Sequence, residues 1–115
     1  MERFITRLLH CVTVTHMLHL NTRSFSEHMA LGDFYEGLDD LTDSLAEQYQ
    51  GKYGLIKFET EEVEPAMSAL EYVMSISEYV TEERNSLPMD TELQNTIDEI
   101  QSLINSTLYK LRFLK

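Results

Sequence analysis

The sequence predicts an all-α fold, a four-helix bundle with a long crossover between the second and third helices, and three observations carry that prediction. Four stretches repeat apolar residues at three-and-four spacing, the signature of an amphipathic helix. Strand-like alternation is nearly absent. The polar breaks at residues 21–24 and 85–88 are short, whereas a long aperiodic stretch separates the second helix from the third. With 115 residues, four glycines, two prolines and 43% hydrophobic content, the chain is one domain, residues 1–115, able to close a single core.

In the first helix, residues 2–20, Phe4, Leu8, Cys11, Thr15 and Leu18 form one stripe with Ile5 and Val12 beside them. On a wheel of about 100° per residue His19 falls near the middle of that stripe, His16 about 60° further round, and His10 on the opposite side. The break Asn21-Thr22-Arg23-Ser24 ends the helix and supplies a hydroxyl to cap the next. The N-terminus has the charge order of a secretory leader, but histidines interrupt its apolar run and no small-residue cleavage site follows, so it reads as a helix of the mature protein. No segment approaches the roughly 20 apolar residues of a membrane span. The expectation is a soluble protein of the cytoplasm, with no membrane partner.

The second helix, residues 25–50, gathers Leu31, Phe34, Tyr35, Leu38, Leu41, Leu45 and Tyr49 into a sector of about 120°. Glu36, Asp43 and Glu47 lie roughly 140–180° from the centre of that sector, on the side of Phe25 and Met29, with His28 between the two groups. Gly51 suits a left-handed cap. Residues 55–63 read as an extended crossover, long enough to return the chain along the bundle. Glu64-Pro65 opens the third helix, where Met67, Leu70, Val73, Met74, Ile76 and Val80 are the apolar positions. In the fourth, Leu93, Ile97, Ile100, Ile104, Leu108 and Leu111 step by fours and threes, with Asp90 as cap and cations at the carbonyl end.

The net charge of −11 is unevenly placed: residues 24–109 carry three bases against nineteen acids, a local charge of −16. Such a surface repels a nucleic-acid backbone and attracts cationic partners and metal ions, so direct nucleic-acid binding is not expected. The lone Cys11 cannot form an internal disulfide and reads as a buried, inert thiol. No glycine-rich phosphate loop, Cys-x-x-Cys or nucleophile elbow is present.

The remaining chemistry lies between His16 and Tyr49. Imidazole nitrogen and carboxylate oxygen are the donors of an iron or zinc site, and His16, His19, His28, Asp43 and Glu47 are the candidate ligands. The acids lie outside the apolar sector, so a site that uses them is on the outside of the bundle, with a second subunit as the source of further ligands.

Four helices with a long middle crossover match the ferritin-like arrangement, and within it His19-Leu20-Asn21, His28 and Asp43-Ser44-Leu45-Ala46-Glu47 resemble the signature of the starvation-induced DNA-protecting mini-ferritins. The resemblance covers about residues 10–51. It implies a homodimer whose two-fold interface sets a first-helix histidine of one subunit against the Asp and Glu of its mate, with iron as the ion and ferroxidase-like activity. Leu20 stands in place of the family's tryptophan, and Gly32 in place of a further metal-coordinating acid. The twelve-residue spacing to His28 is kept by His16, so His16 and His19 are both candidates. The chain has no lysine-rich tail, which removes the feature that family uses on DNA. The whole chain also resembles small ferritin-like proteins of tailed phages, notably at Tyr49-Gln50-Gly51-Lys52-Tyr53-Gly54 and Ser106-Thr107-Leu108-Tyr109-Lys110-Leu111. Two functional expectations follow: a metal-binding dimer, or an acidic interaction module in the host cytoplasm that binds or inhibits a host protein through its carboxylate-rich face.

Overall fold

A computed structural model describes residues 1–58 and 67–115. Helix α1 spans Glu2–Asn21, α2 Phe25–Tyr53, α3 Ala69–Glu83 and α4 Thr91–Phe113, with one 3-10 turn, Arg84–Ser86, between the last two. No strand occurs among the described residues. Helix α2 has 29 residues and, at about 1.5 Å per residue, is as long as the 43 Å long axis of the molecule.

The four helices close into a ring in which α1 packs on α2, α2 on α4, α4 on α3 and α3 on α1. Side-chain pairs set the directions. Lys52 and Tyr53 at the end of α2 meet Asp90 at the start of α4, and Asp33 near the start of α2 meets Lys110 near the end of α4 at 3.5 Å, so these two helices are antiparallel. Ser68 and Leu70 at the start of α3 lie with Ser24, Glu27, Lys110 and Leu111 at the opposite end. The end of α2 and the start of α3 therefore lie at opposite ends of the bundle. The core holds most of the residues that the periodicity selects: Phe4, Ile5, Leu8, Leu31, Phe34, Leu38, Leu45, Val73, Ile76, Leu93, Ile97, Ile100 and Ile104 are buried, whereas Met74, also selected, is exposed and Tyr72, not selected, is buried. Thr15, Thr42 and Thr107, polar positions within those stripes, are buried because each hydroxyl donates to a carbonyl one turn earlier. Cys11 is fully buried and desolvation pushes its thiol up to about 12, so it stays protonated.

Ser24 caps α2, accepting from the Glu27 amide at 3.2 Å, as the break at 21–24 predicts. Three helix ends differ from the sequence expectation. Helix α2 runs through Gly51 to Tyr53, because Lys52 and Tyr53 are tied to Asp90 across the bundle; the cap is Gly54, at φ +98°, a conformation that favours glycine. Helix α3 begins at Ala69, capped by Ser68 accepting from the Glu71 amide at 3.1 Å, and Met67 precedes it. The predicted start at Glu64-Pro65, and the crossover positions 59–63, lie outside the described residues. Asp90 does precede α4, but its carboxylate makes no capping bond. It accepts instead from Lys52 Nζ and, at 2.7 Å, from the Tyr53 hydroxyl.

Those two donors hold the Asp90 carboxyl below its usual range, the Lys52 bond first and the Tyr53 bond second. A depressed carboxyl stabilises the fold above its unfolded pKa of about 3.9, and the contribution vanishes as pH falls through the lower folded value. Asp90→Asn is expected to lower the melting temperature at pH 7, with the gap to the parent closing in strong acid. Paired melts from pH 7 to pH 2 check this; a gap that stays constant across the range would rule it out.

Candidate functional site at the α1–α2 hairpin

The last carbonyls of a helix have no amide partner within it, and α1 solves this with an imidazole. His28, one turn into α2, donates from Nδ1 to the His19 carbonyl at 2.9 Å. His19 returns the contact, its Nδ1 donating to the His28 carbonyl at 2.6 Å. The two rings stack with centroids 3.7 Å apart. Because a carbonyl only accepts, both rings carry their proton on Nδ1 when neutral and keep a bare lone pair on Nε2, the tautomer in which a histidine binds a metal while its other nitrogen is held.

Gly32 makes this clasp fit. A Cβ there would stand 3.1 Å from His19 Cε1 and 3.3 Å from Nδ1. An acid at that position, which the resemblance leads one to look for, would have to push the His19 ring aside. His16 lies further along α1, exposed, its ring stacked on Tyr35 with centroids 4.2 Å apart and 6.0 Å from the His19 ring. His19 is half-buried, so of the two candidate ligands on α1 His16 is the more accessible. His10 is half-buried and apart from this stack.

Asp43 and Glu47 are exposed on α2, four residues apart and so on one face. They edge a groove of about 400 Å³ between α1 and α2, lined also by Ile5, Leu9, Thr42, Ala46, Gln50 and Phe58. Fifteen residues of helix, roughly 22 Å, separate His28 from Asp43. The structure therefore brings His16, His19 and His28 together, and Asp43 with Glu47, but leaves the two groups apart within one chain. Among the described residues no three His, Cys, Asp or Glu side chains are placed to hold one ion.

Tyr35 and Phe58 are the site residues that sequence reasoning missed. Tyr35 had a signal: it lies two turns beyond His28 on the edge of the apolar sector that faces α1. Phe58 had none, since it reaches the groove from beyond the end of α2.

The fold and these features define an all-helical protein with an imidazole stack at one end of its first hairpin and an acidic pair at the other. Residues 19–111 match the model of a family of unknown function (DUF5856), and the chain belongs to that family. No curated protein and no solved structure matches it.

Proposed function

We propose that this chain is a ferritin-like, metal-binding homodimer, in which His28 and His16 of one copy and Asp43 and Glu47 of the other hold an iron or zinc ion. The observation that carries the reading is the state of His28: its Nδ1 is occupied by the His19 carbonyl, which fixes the ring and presents Nε2 as a lone pair. The order of the helices, with the end of α2 and the start of α3 at opposite ends of the bundle, supports the ferritin-like description. The carboxylates support the ligand set, since two acids one turn apart bracket a cation, and mixed nitrogen and oxygen donors suit Fe(II) and Zn(II). The roughly 22 Å between His28 and Asp43 makes a second copy necessary.

Isothermal titration with Zn(II), or anaerobically with Fe(II), tests this. The expected result is saturable binding of about two ions per dimer, one for each symmetry-related ligand set. A titration with heats of dilution only would end the proposal. His19→Ala is expected to weaken binding by about 10–100-fold without removing a ligand: the His19 backbone carbonyl that accepts from His28 Nδ1 stays, but the ring that stacks on His28 and donates to its carbonyl is lost, and His28 is less firmly oriented.

One observation favours a second reading, an acidic module for a cationic host protein: Glu36, Asp39, Asp40, Asp43 and Glu47 are all exposed along α2. Such a complex would dissociate as salt rises from about 0.05 to 0.5 M, where the screening length shrinks severalfold. Capture that survives the higher salt would exclude an electrostatic partner.

A further inference from the structure

Residues 24–51 contain no lysine or arginine. Glu36, Asp39, Asp40, Asp43 and Glu47 are exposed along this part of α2, and at about 1.5 Å per residue the row from Glu36 to Glu47 extends roughly 16 Å. The described ion pairs engage Asp33, Asp90, Glu92 and Asp98 and none of these five. A row of acids is ordinarily no more than a solvated face. This one differs in what lies beside it.

Asp43 and Glu47 rim the groove of about 400 Å³ between α1 and α2, whose apolar lining is Ile5, Leu9, Ala46 and Phe58. Leu9 is 38% exposed and Phe58 48%, so two large apolar side chains of the groove wall are open to water. Its lining positions on α2 run from Thr42 to Gln50, roughly 12 Å or two helical turns. An apolar trough with an anionic rim is complementary to an amphipathic helix that carries apolar residues on one face and cations beside them. The length of the row favours such a segment over a single small ammonium group, because the acids continue past the groove to Glu36. Charge also argues against a second copy as occupant: two chains meeting groove to groove would set the same carboxylates against each other.

We propose that the α1–α2 groove receives a lysine- or arginine-rich amphipathic helix of another protein, its apolar side chains seated against Leu9, Ala46 and Phe58 and its cations over Asp43, Glu47 and the acids toward Glu36. The inference rests on the second reading above, an acidic module for a cationic protein, and adds to it the surface used and the form of the partner.

The probe is a synthetic helical peptide of about 18 residues of leucine and lysine, with leucines at i, i+3, i+4 and i+7 spacing, and the control is an oligolysine of equal charge. Fluorescence anisotropy with the full chain, in EDTA because the metal reading draws on the same two carboxylates, measures both. The amphipathic peptide is expected to bind saturably, one per chain, and Leu9→Ser with Phe58→Ser to weaken it at least about tenfold while leaving the oligolysine unchanged. Amide shifts of the parent supply a readout that needs no variant: Leu9, Ala46 and Gln50 are expected to move with the amphipathic peptide and not with oligolysine. Peptide binding that is indifferent to the two substitutions and moves no groove amide would overturn the docking, while salt-sensitive oligolysine binding kept the acidic-module reading in place. No binding of either peptide at about 0.05 M salt would remove both. Self-association of the parent that the two substitutions abolish would give the groove to a second copy and overturn the docking as well.

Discussion

If the proposed site exists, Asp43→Ala combined with Glu47→Ala is expected to abolish saturable Zn(II) or Fe(II) binding while leaving the fold intact. A four-ligand zinc site is worth about 10–16 kcal/mol, or roughly 3–4 kcal/mol per ligand, so losing both carboxylates would weaken binding of the ion by about four to six orders of magnitude. Neither residue supports the bundle: both side chains are exposed and outside the core. Exposed positions of this kind change stability by no more than about 0.5 kcal/mol, and removing two like charges from an acidic face can raise it. The pair of readouts gives the test its force. Calorimetry and thermal melts on the same double variant are expected to show binding lost and melting temperature held. Unchanged affinity would take the carboxylates out of the site, and a collapse in melting temperature would show that they serve the fold instead.

Phe34→Ala produces the opposite pattern. Phe34 is completely buried in the middle of α2, within the cluster that includes Leu31, Leu38, Ile100 and Ile104. Truncating a buried phenylalanine costs about 3–5 kcal/mol, part of it apolar transfer and part the cavity left behind. Against a total stability of about 5–15 kcal/mol for a domain of this class, that is a drop in melting temperature of roughly 10–25 °C. Denaturant titration checks it through a lower midpoint at unchanged slope. A loss below about 1 kcal/mol would contradict the packing described for α2. Phe25, nine residues earlier and 78% exposed, supplies the contrast, since its removal is expected to spare the fold.

The helices were legible because periodicity is local information. Leu93, Ile97, Ile100 and Ile104 step along one face of α4, and all four are buried. Helix ends were read less well, because several of them depend on distant partners. Gly51 has the chemistry of a cap, yet α2 continues past it to residues held by Asp90, and Asp90 has the chemistry of an N-cap yet spends its carboxylate on Lys52 and Tyr53. In both cases a contact across nearly forty residues overrides a local preference, and no local pattern encodes it.

The site divides along the same line. That Asp43 and Glu47 face away from the core follows from helix geometry alone, and the structure has both exposed. The clasp between His19 and His28 does not follow from spacing: it needs the hairpin to close so that each imidazole meets the carbonyl of the other, and it needs the missing side chain of Gly32 to leave room.

By itself, then, the amino-acid order determined the all-helical class of fold, most of the core and the side of α2 on which the acids lie, since each is set by the periodic placement of apolar residues over a few turns. The tertiary structure alone decided where α2 ends, that His19 and His28 clasp each other while His16 stacks on Tyr35, and the groove beneath Asp43 and Glu47. The physical reason is that these are contacts between chain segments whose approach depends on how whole helices pack.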